Sequence, residues 1–235
     1  VAAFCYLLVQ ILNYQRAQEY RESLTDGISY VISEGVARQP EKQQKLDWIS
    51  DASDLLELPI YYVDAARVEL SRTERKRIAE QKSVVRYDAN NGIGYVIIGL
   101  KDDPKHFLYI KVDKIGERQM KALPIFVLDY LIFYPGQERE YLEKIKKHFY
   151  YPIEIADIRD INLDSEQIGR LRQGQSVLLY KDSASIRGTT ISIVSPMPNH
   201  PAQVLVLGPV PMFNWMPFQL AAGITLFSLF LLSLG

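Results

Sequence analysis

The chain has one cysteine, Cys5, and it lies in the first apolar run. No disulfide can form within the chain, so its soluble part must rest on a packed core, and the compartment stays open on this ground. Neither charge is in excess: 27 Lys+Arg face 28 Asp+Glu, with a pI near 6.4. That removes the basic face that nucleic acid requires. There are only three histidines, His106, His148 and His200, scattered without a cysteine or helical partner, which gives no zinc pattern. No G-x-x-x-x-G-K-S/T, G-x-G-x-x-G, H-E-x-x-H or G-x-S-x-G sequence occurs, so no catalytic residue is assigned and no cofactor is expected within these residues.

Charge is also missing from both ends. Val1–Gln15 carries none, and the last charged side chain is Arg187. Met216–Gly235 is almost wholly apolar, with Gln219 its one strongly polar residue, and a hydrocarbon core of about 30 Å needs roughly 20 helical residues. Residues 212–235 are therefore expected to hold one transmembrane helix and residues 1–14 the cut end of another. No small-residue cleavage pattern follows the first run, which argues against a signal peptide. Between the two lie residues 15–211, a soluble region held between membrane spans, as in a receptor.

That region is internally duplicated. Sliding the chain by 93 positions makes 8 of the 29 pairs from 59/152 to 87/180 identical, among them Pro59/Pro152, Asp64/Asp157, Leu70/Leu163, Ser83/Ser176, Val84/Val177 and Tyr87/Tyr180. Pro40 and Pro135 recur at an offset of 95. The repeat predicts two units, 15–113 and 114–211, each built as helix, helix, strand, short capped helix and three strands. Expected long helices are Tyr6–Val36 and Glu117–Tyr134, with Pro124 starting or kinking the second. Shorter helices follow at Glu41–Leu56 and Gln137–His148. First strands are Ile60–Asp64 and Ile153–Asp157. Ser71 with Glu74, and Asp164 with Gln167, read as capping boxes. Three further strands close each unit, at Val84–Tyr87, Tyr95–Leu100 and Phe107–Val112, then Val177–Tyr180, Thr190–Val194 and Val204–Leu207. Asn91-Gly92 is a hairpin signal. Ala122–Tyr134, apolar on every side, is expected to be buried between the two sheets.

Three groups of residues stand out for function. Asp47, Asp51 and Asp54 share one helix face; the ordinary reading is a solvated surface, and the functional one a ligand site for divalent cations or protons. Ala17, Tyr20 and Leu24 begin an apolar stripe that continues as Ile28 and Val31. It either docks on its own sheet or forms the seam of a parallel homodimer. Gly208, Pro209, Pro211 and Trp215 lie between the last expected strand and the second apolar run. Two prolines stiffen this connection, which makes it the expected signal-coupling segment.

The helical stalk, the helix–helix–strand unit and Leu207-Gly208-Pro209-Val210-Pro211 ahead of the second apolar run resemble the RstB/BfmS-like bacterial sensor histidine kinases. The resemblance is strongest over Tyr150–Gly235, and the duplication departs from it, since those proteins carry a single unit. Together with the duplication it gives the expectation of an α/β fold of tandem PAS/PDC-like sensor units with mixed antiparallel sheets. It further implies a homodimer in the bacterial inner membrane, with residues 15–211 in the periplasm. ATP and Mg would belong to a kinase domain outside these residues, and the partner would be a cytoplasmic response regulator. A chemoreceptor, a cyclic-dinucleotide enzyme and a non-signalling structural membrane protein are the alternatives.

Overall fold

The computed structural model describes residues 2–88, 92–113, 116–181 and 189–211, with single helical residues at 223, 227, 230 and 231, and side chains at 15 and from 17 onward. Among these residues no helix is long and apolar enough to cross a membrane. The second expected span lies almost wholly outside the described residues.

Each half of the chain follows the same order of elements. In the first unit α1 (Ala2–Ala37) and α2 (Lys42–Leu56) precede β1 (Ile60–Asp64), α3 (Arg72–Ala79), β2 (Val84–Asp88), β3 (Ile93–Gly99) and β4 (His106–Val112). In the second, α4 (Glu117–Ile132) and α5 (Glu138–Lys146) precede β5 (Ile153–Asp157), α6 (Ser165–Arg172), β6 (Val177–Lys181), β7 (Thr190–Met197) and β8 (His200–Pro211). The sheets have matching orders, β1-β4-β3-β2 and β5-β8-β7-β6, with every pairing antiparallel. Among the described residues from 2 to 211, two four-stranded antiparallel sheets and six α-helices therefore make a mixed α/β fold of two like units.

The shared frame is chemical as well as topological. Asp64 and Asp157 each end a first strand and accept the amide two residues on, from Ala66 and Arg159, which starts a 3₁₀ turn. The Glu74 amide donates to Ser71 Oγ while the Ser71 amide donates to Glu74, and Asp164 and Gln167 repeat the exchange. The Glu74 carboxylate also pairs with Arg86 at 2.8 Å. In the second unit both partners change together, to Gln167 and Leu179, so no orphan charge is left behind.

The layers run α3, first sheet, α1 against α4, second sheet, α6. One apolar core spans both units, joining Val31, Ile32 and Val36 of α1 to Phe126, Val127 and Leu131 of α4. These are the same positions 95 residues apart. Smaller clusters lie under α3 (Leu70, Val84, Ile97, Phe107) and under α6 (Leu171, Val177, Val194, Val204). Two expectations need correction here. Of the two places expected for Pro124, the start of α4 is excluded, because the proline is buried in the helix interior. Nor is α4 buried all round: Ile125 and Ile132, and Phe133 just after it, are 41–55% exposed, because the second sheet, α1 and α2 cover only part of its circumference.

Close approach to α1 is made possible by two glycines. A Cβ at Gly27 would stand 2.4 Å from the Phe149 ring, and one at Gly35 2.4 Å from Trp48. Gly27→Ala therefore has to displace a ring at the junction of the units. Overpacking of this kind costs about 1–3 kcal/mol, against a gain in helix propensity of about 1 kcal/mol. Urea denaturation is expected to show a net loss for Gly27→Ala. Gly169→Ala in α6, where nothing lies within 4 Å, is expected to be neutral or stabilising.

Candidate functional site

The acidic residues Asp47, Asp51 and Asp54 all lie exposed on the outer face of α2. Asp47 accepts a hydrogen bond from Gln43 at 2.8 Å. Among the described residues no three His, Cys, Asp or Glu side chains are gathered so as to hold a metal ion. The stripe on α1 is turned into its own chain. Ala17 is buried, Leu24 packs on the shared core, and Tyr20 meets Tyr150 edge-on at 6.0 Å. Burial first, then the neighbouring Tyr150, pushes the Tyr20 hydroxyl up to about 12. Ala17 is thus covered within the protomer, while Tyr20 and Leu24 remain part-exposed.

The coupling segment differs from expectation in an informative way. β8 does not stop at Leu207 but continues to Pro211, pairing Val210 with Ile191 and Pro211 with Thr190. On its other side β8 loses its partner. The last β5 pairing is Ile153 with Leu207, followed by the Gly208 amide donating to Pro152 O at 2.8 Å. From Pro209 onward β8 is an edge strand, where a missing N–H is tolerated. A register shift opposite Ile191/Ile193 places Gly208 at φ +117, with a would-be Cβ 2.7 Å from the Ile191 carbonyl oxygen. Gly208, Pro209 and Pro211 belong to the sheet, while Trp215 lies outside the described residues.

Several polar groups that the sequence did not single out tie the elements together. Asp26 of α1 accepts from Arg77 Nη2, the Ser83 amide and Ser83 Oγ, each at 2.9 Å. Glu22 adds a second carboxylate to Arg77 at 3.2 Å, and Thr25 bonds Ser83 Oγ at 2.8 Å. This network fastens α1 to the end of α3 and the start of β2. At the other end of the first sheet, Asp103 accepts from Tyr62 and from His106 Nδ1, whose ring stacks on Tyr62 at 4.3 Å. Burial alone would raise the Asp103 carboxyl, but those two hydrogen bonds outweigh it and hold it below its ordinary value.

Between the units, His148 stacks on Tyr30 of α1 with centroids 3.7 Å apart. Burial, then the adjacent Lys147, lower the imidazole pKa, with Asp26 opposing them. Tyr30 is pushed up to about 12, by burial and then by Glu34.

A concavity of about 830 Å³ lies on the outward side of α4, between α6 and the β7–β8 hairpin. Its floor is apolar, with Ala122, Ile125 and Leu128 of α4 facing Leu171, Met197 and Val204. Ser176 Oγ donates to Ser195 Oγ at 3.1 Å in its wall. Four cations line it, Arg118, Lys121, Arg170 and Arg172, and among the described residues no carboxylate does. Glu57 pairs with Arg118 at 2.6 Å and Glu117 with Lys121, both from outside the lining. Arg170 and Arg172 have no ion pair among the described residues. A smaller hollow shares Leu128, Met197 and Pro198 with this groove and carries it on to Ile132 and His200. No family model, no curated protein and no solved structure matches the chain.

Two expectations follow. Gly208→Ala places a Cβ against a backbone oxygen at a positive φ, and strain of this kind costs about 1–3 kcal/mol; urea denaturation should show that loss. For His148, the folded pKa lies below the ordinary 6.5, so the fold favours the neutral ring. Its stability contribution is present above pH 6.5 and is lost as pH falls through and below that value. Between about pH 7 and 5, His148→Phe should flatten the fall in thermal midpoint while keeping the stack on Tyr30. An unchanged slope would remove His148 as its source.

Proposed function

We propose that the chain is the stimulus-sensing region of a transmembrane sensor histidine kinase of a two-component system. The observation that carries this reading is that both membrane-directed ends are built into one core. α1 emerges from the first apolar run and packs on the first sheet and on α4, while β8 leads toward the second apolar run from the middle of the second sheet. A change in the packing of α1 against α4 would thus reach β8, as far as Pro211, through packed elements. Helix shifts of about 1–2 Å suffice in such switches.

In this proposal each unit, a leading helix laid on an antiparallel sheet with a short capped helix over the far face, serves as a PAS/PDC-like sensor. In this proposal residues 15–211 lie in the periplasm of a bacterial inner-membrane homodimer. ATP and Mg serve a cytoplasmic kinase domain, and a response regulator receives the phosphoryl group. The dimer seam in this proposal runs along α1 at Ala17, Tyr20 and Leu24, of which Tyr20 and Leu24 are part-exposed.

Two measurements test it. Single cysteines at the exposed positions Gln43 and Lys82, in a Cys5→Ser background, should react with a membrane-impermeant maleimide in intact spheroplasts. The natural full-length protein, supplied with radiolabelled ATP and Mg, should acquire an acid-labile, alkali-stable phosphoryl group, as histidine does. Labelling only after lysis would overturn the topology, and the absence of phosphohistidine would overturn the kinase in favour of another receptor output.

A further inference from the structure

The two units carry the same arginine near the end of their capped helix, Arg77 in α3 and Arg170 in α6, 93 positions apart. They keep opposite company. Arg77 is neutralised by Glu22 and Asp26 of the long helix. The corresponding positions of α4, 95 residues on, are Glu117 and Lys121. Glu117 retains its counterpart's role in part, since the charge of Arg170 helps to hold its carboxyl below the ordinary value, after the larger effect of Lys121. Lys121, in the place of Asp26, reverses the charge. The serine that completes the Asp26 site, Ser83, recurs as Ser176, and its hydroxyl turns instead to Ser195. What the first unit fills with a built-in carboxylate, the second leaves as an arginine, a lysine and a serine around an open groove.

We propose that this groove binds an amphipathic carboxylate. Its head would occupy, among Arg170, Lys121 and Ser176, the place that the Asp26 carboxylate occupies in the first unit. Its alkyl or aryl body would lie along Ile125, Leu128 and Met197, toward the hollow at Ile132. The volume suits a small molecule, since such sites span about 300–1,000 Å³ and combine an apolar lining with few placed polar groups. A carboxylate answers the charge because Arg170 and Arg172 have no ion pair among the described residues, and a bidentate pair is the strong form of that bond. An apolar body follows from the α4 face, where Ile125 and Ile132 are 41% and 54% exposed. The inference concerns binding alone and does not depend on the kinase reading.

Octanoate is a suitable probe, carboxyl-labelled with ¹³C and titrated into the full chain in a nonionic detergent. Acetate, octan-1-ol and octylammonium serve as comparisons in the same detergent. Saturable broadening of the carboxyl resonance is expected for octanoate, with octan-1-ol at least about tenfold weaker by competition, as loss of a charge-assisted contact implies. Arg170→Gln should weaken octanoate by a similar factor. Lys121→Asp should rebuild the first unit's arrangement, abolishing binding while raising the thermal midpoint through a new pair with Arg170. Equal competition by octan-1-ol would overturn the proposal. So would undiminished octanoate binding in both variants, each shown folded by circular dichroism. A third overturning result would be concentration-dependent hydrogen-exchange protection of α4, because a second copy of the chain would then be the occupant.

Discussion

The contact of α1 with α4 is the constraint on which the other elements depend. Each helix lies on its own sheet with one side and on the other helix with the next, so Val31, Ile32 and Val36 share a core with Phe126, Val127 and Leu131. Neither unit encloses its inner apolar face alone. Gly27 and Gly35 matter for the same reason, since Phe149 and Trp48 close on α1 from the flanks and leave no room for a Cβ. The Asp26 network then fixes how α1 sits over the first sheet, at the end where β2 begins.

The elements best read from the sequence are those with a local cause. β1 and β5 have the bounds the Pro-Ile…Asp frame implied, and both capping boxes form, because each rests on contacts within a few residues. The extent of β8 was not legible. A Gly-Pro-x-Pro run reads as the end of a strand, and only the pairing shows that β5 has already stopped, leaving an edge on which proline is harmless. The acidic face of α2 attracted notice because its three carboxylates are close in sequence. The polar groups that organise the fold are not: Asp26 meets Arg77 and Ser83 across more than 50 residues. Likewise the groove draws its lining from Leu55 to Val204, and no window of sequence contains it.

Rigidity is unevenly placed along β8. β8 is held on both sides as far as Leu207, then on one side only to Pro211. The Gly208 backbone, seated against Ile191, marks the change. The groove wall at Ser195–Met197 belongs to β7, the strand that alone carries the end of β8. Whatever presses on that wall acts on the last strand through one ladder of hydrogen bonds.

Asp26 and Lys121 occupy corresponding positions of two copies that share a core. Two identical single-unit chains assembled through the same helices would bear one residue at both places, since symmetry repeats every substitution. Joining the copies in tandem removes that bond between them. One copy can keep an internal counter-ion as a structural fastener while the other trades it for a cation. Covalent duplication here gives asymmetry a genetic address, which a symmetric assembly can reach only by breaking its own equivalence.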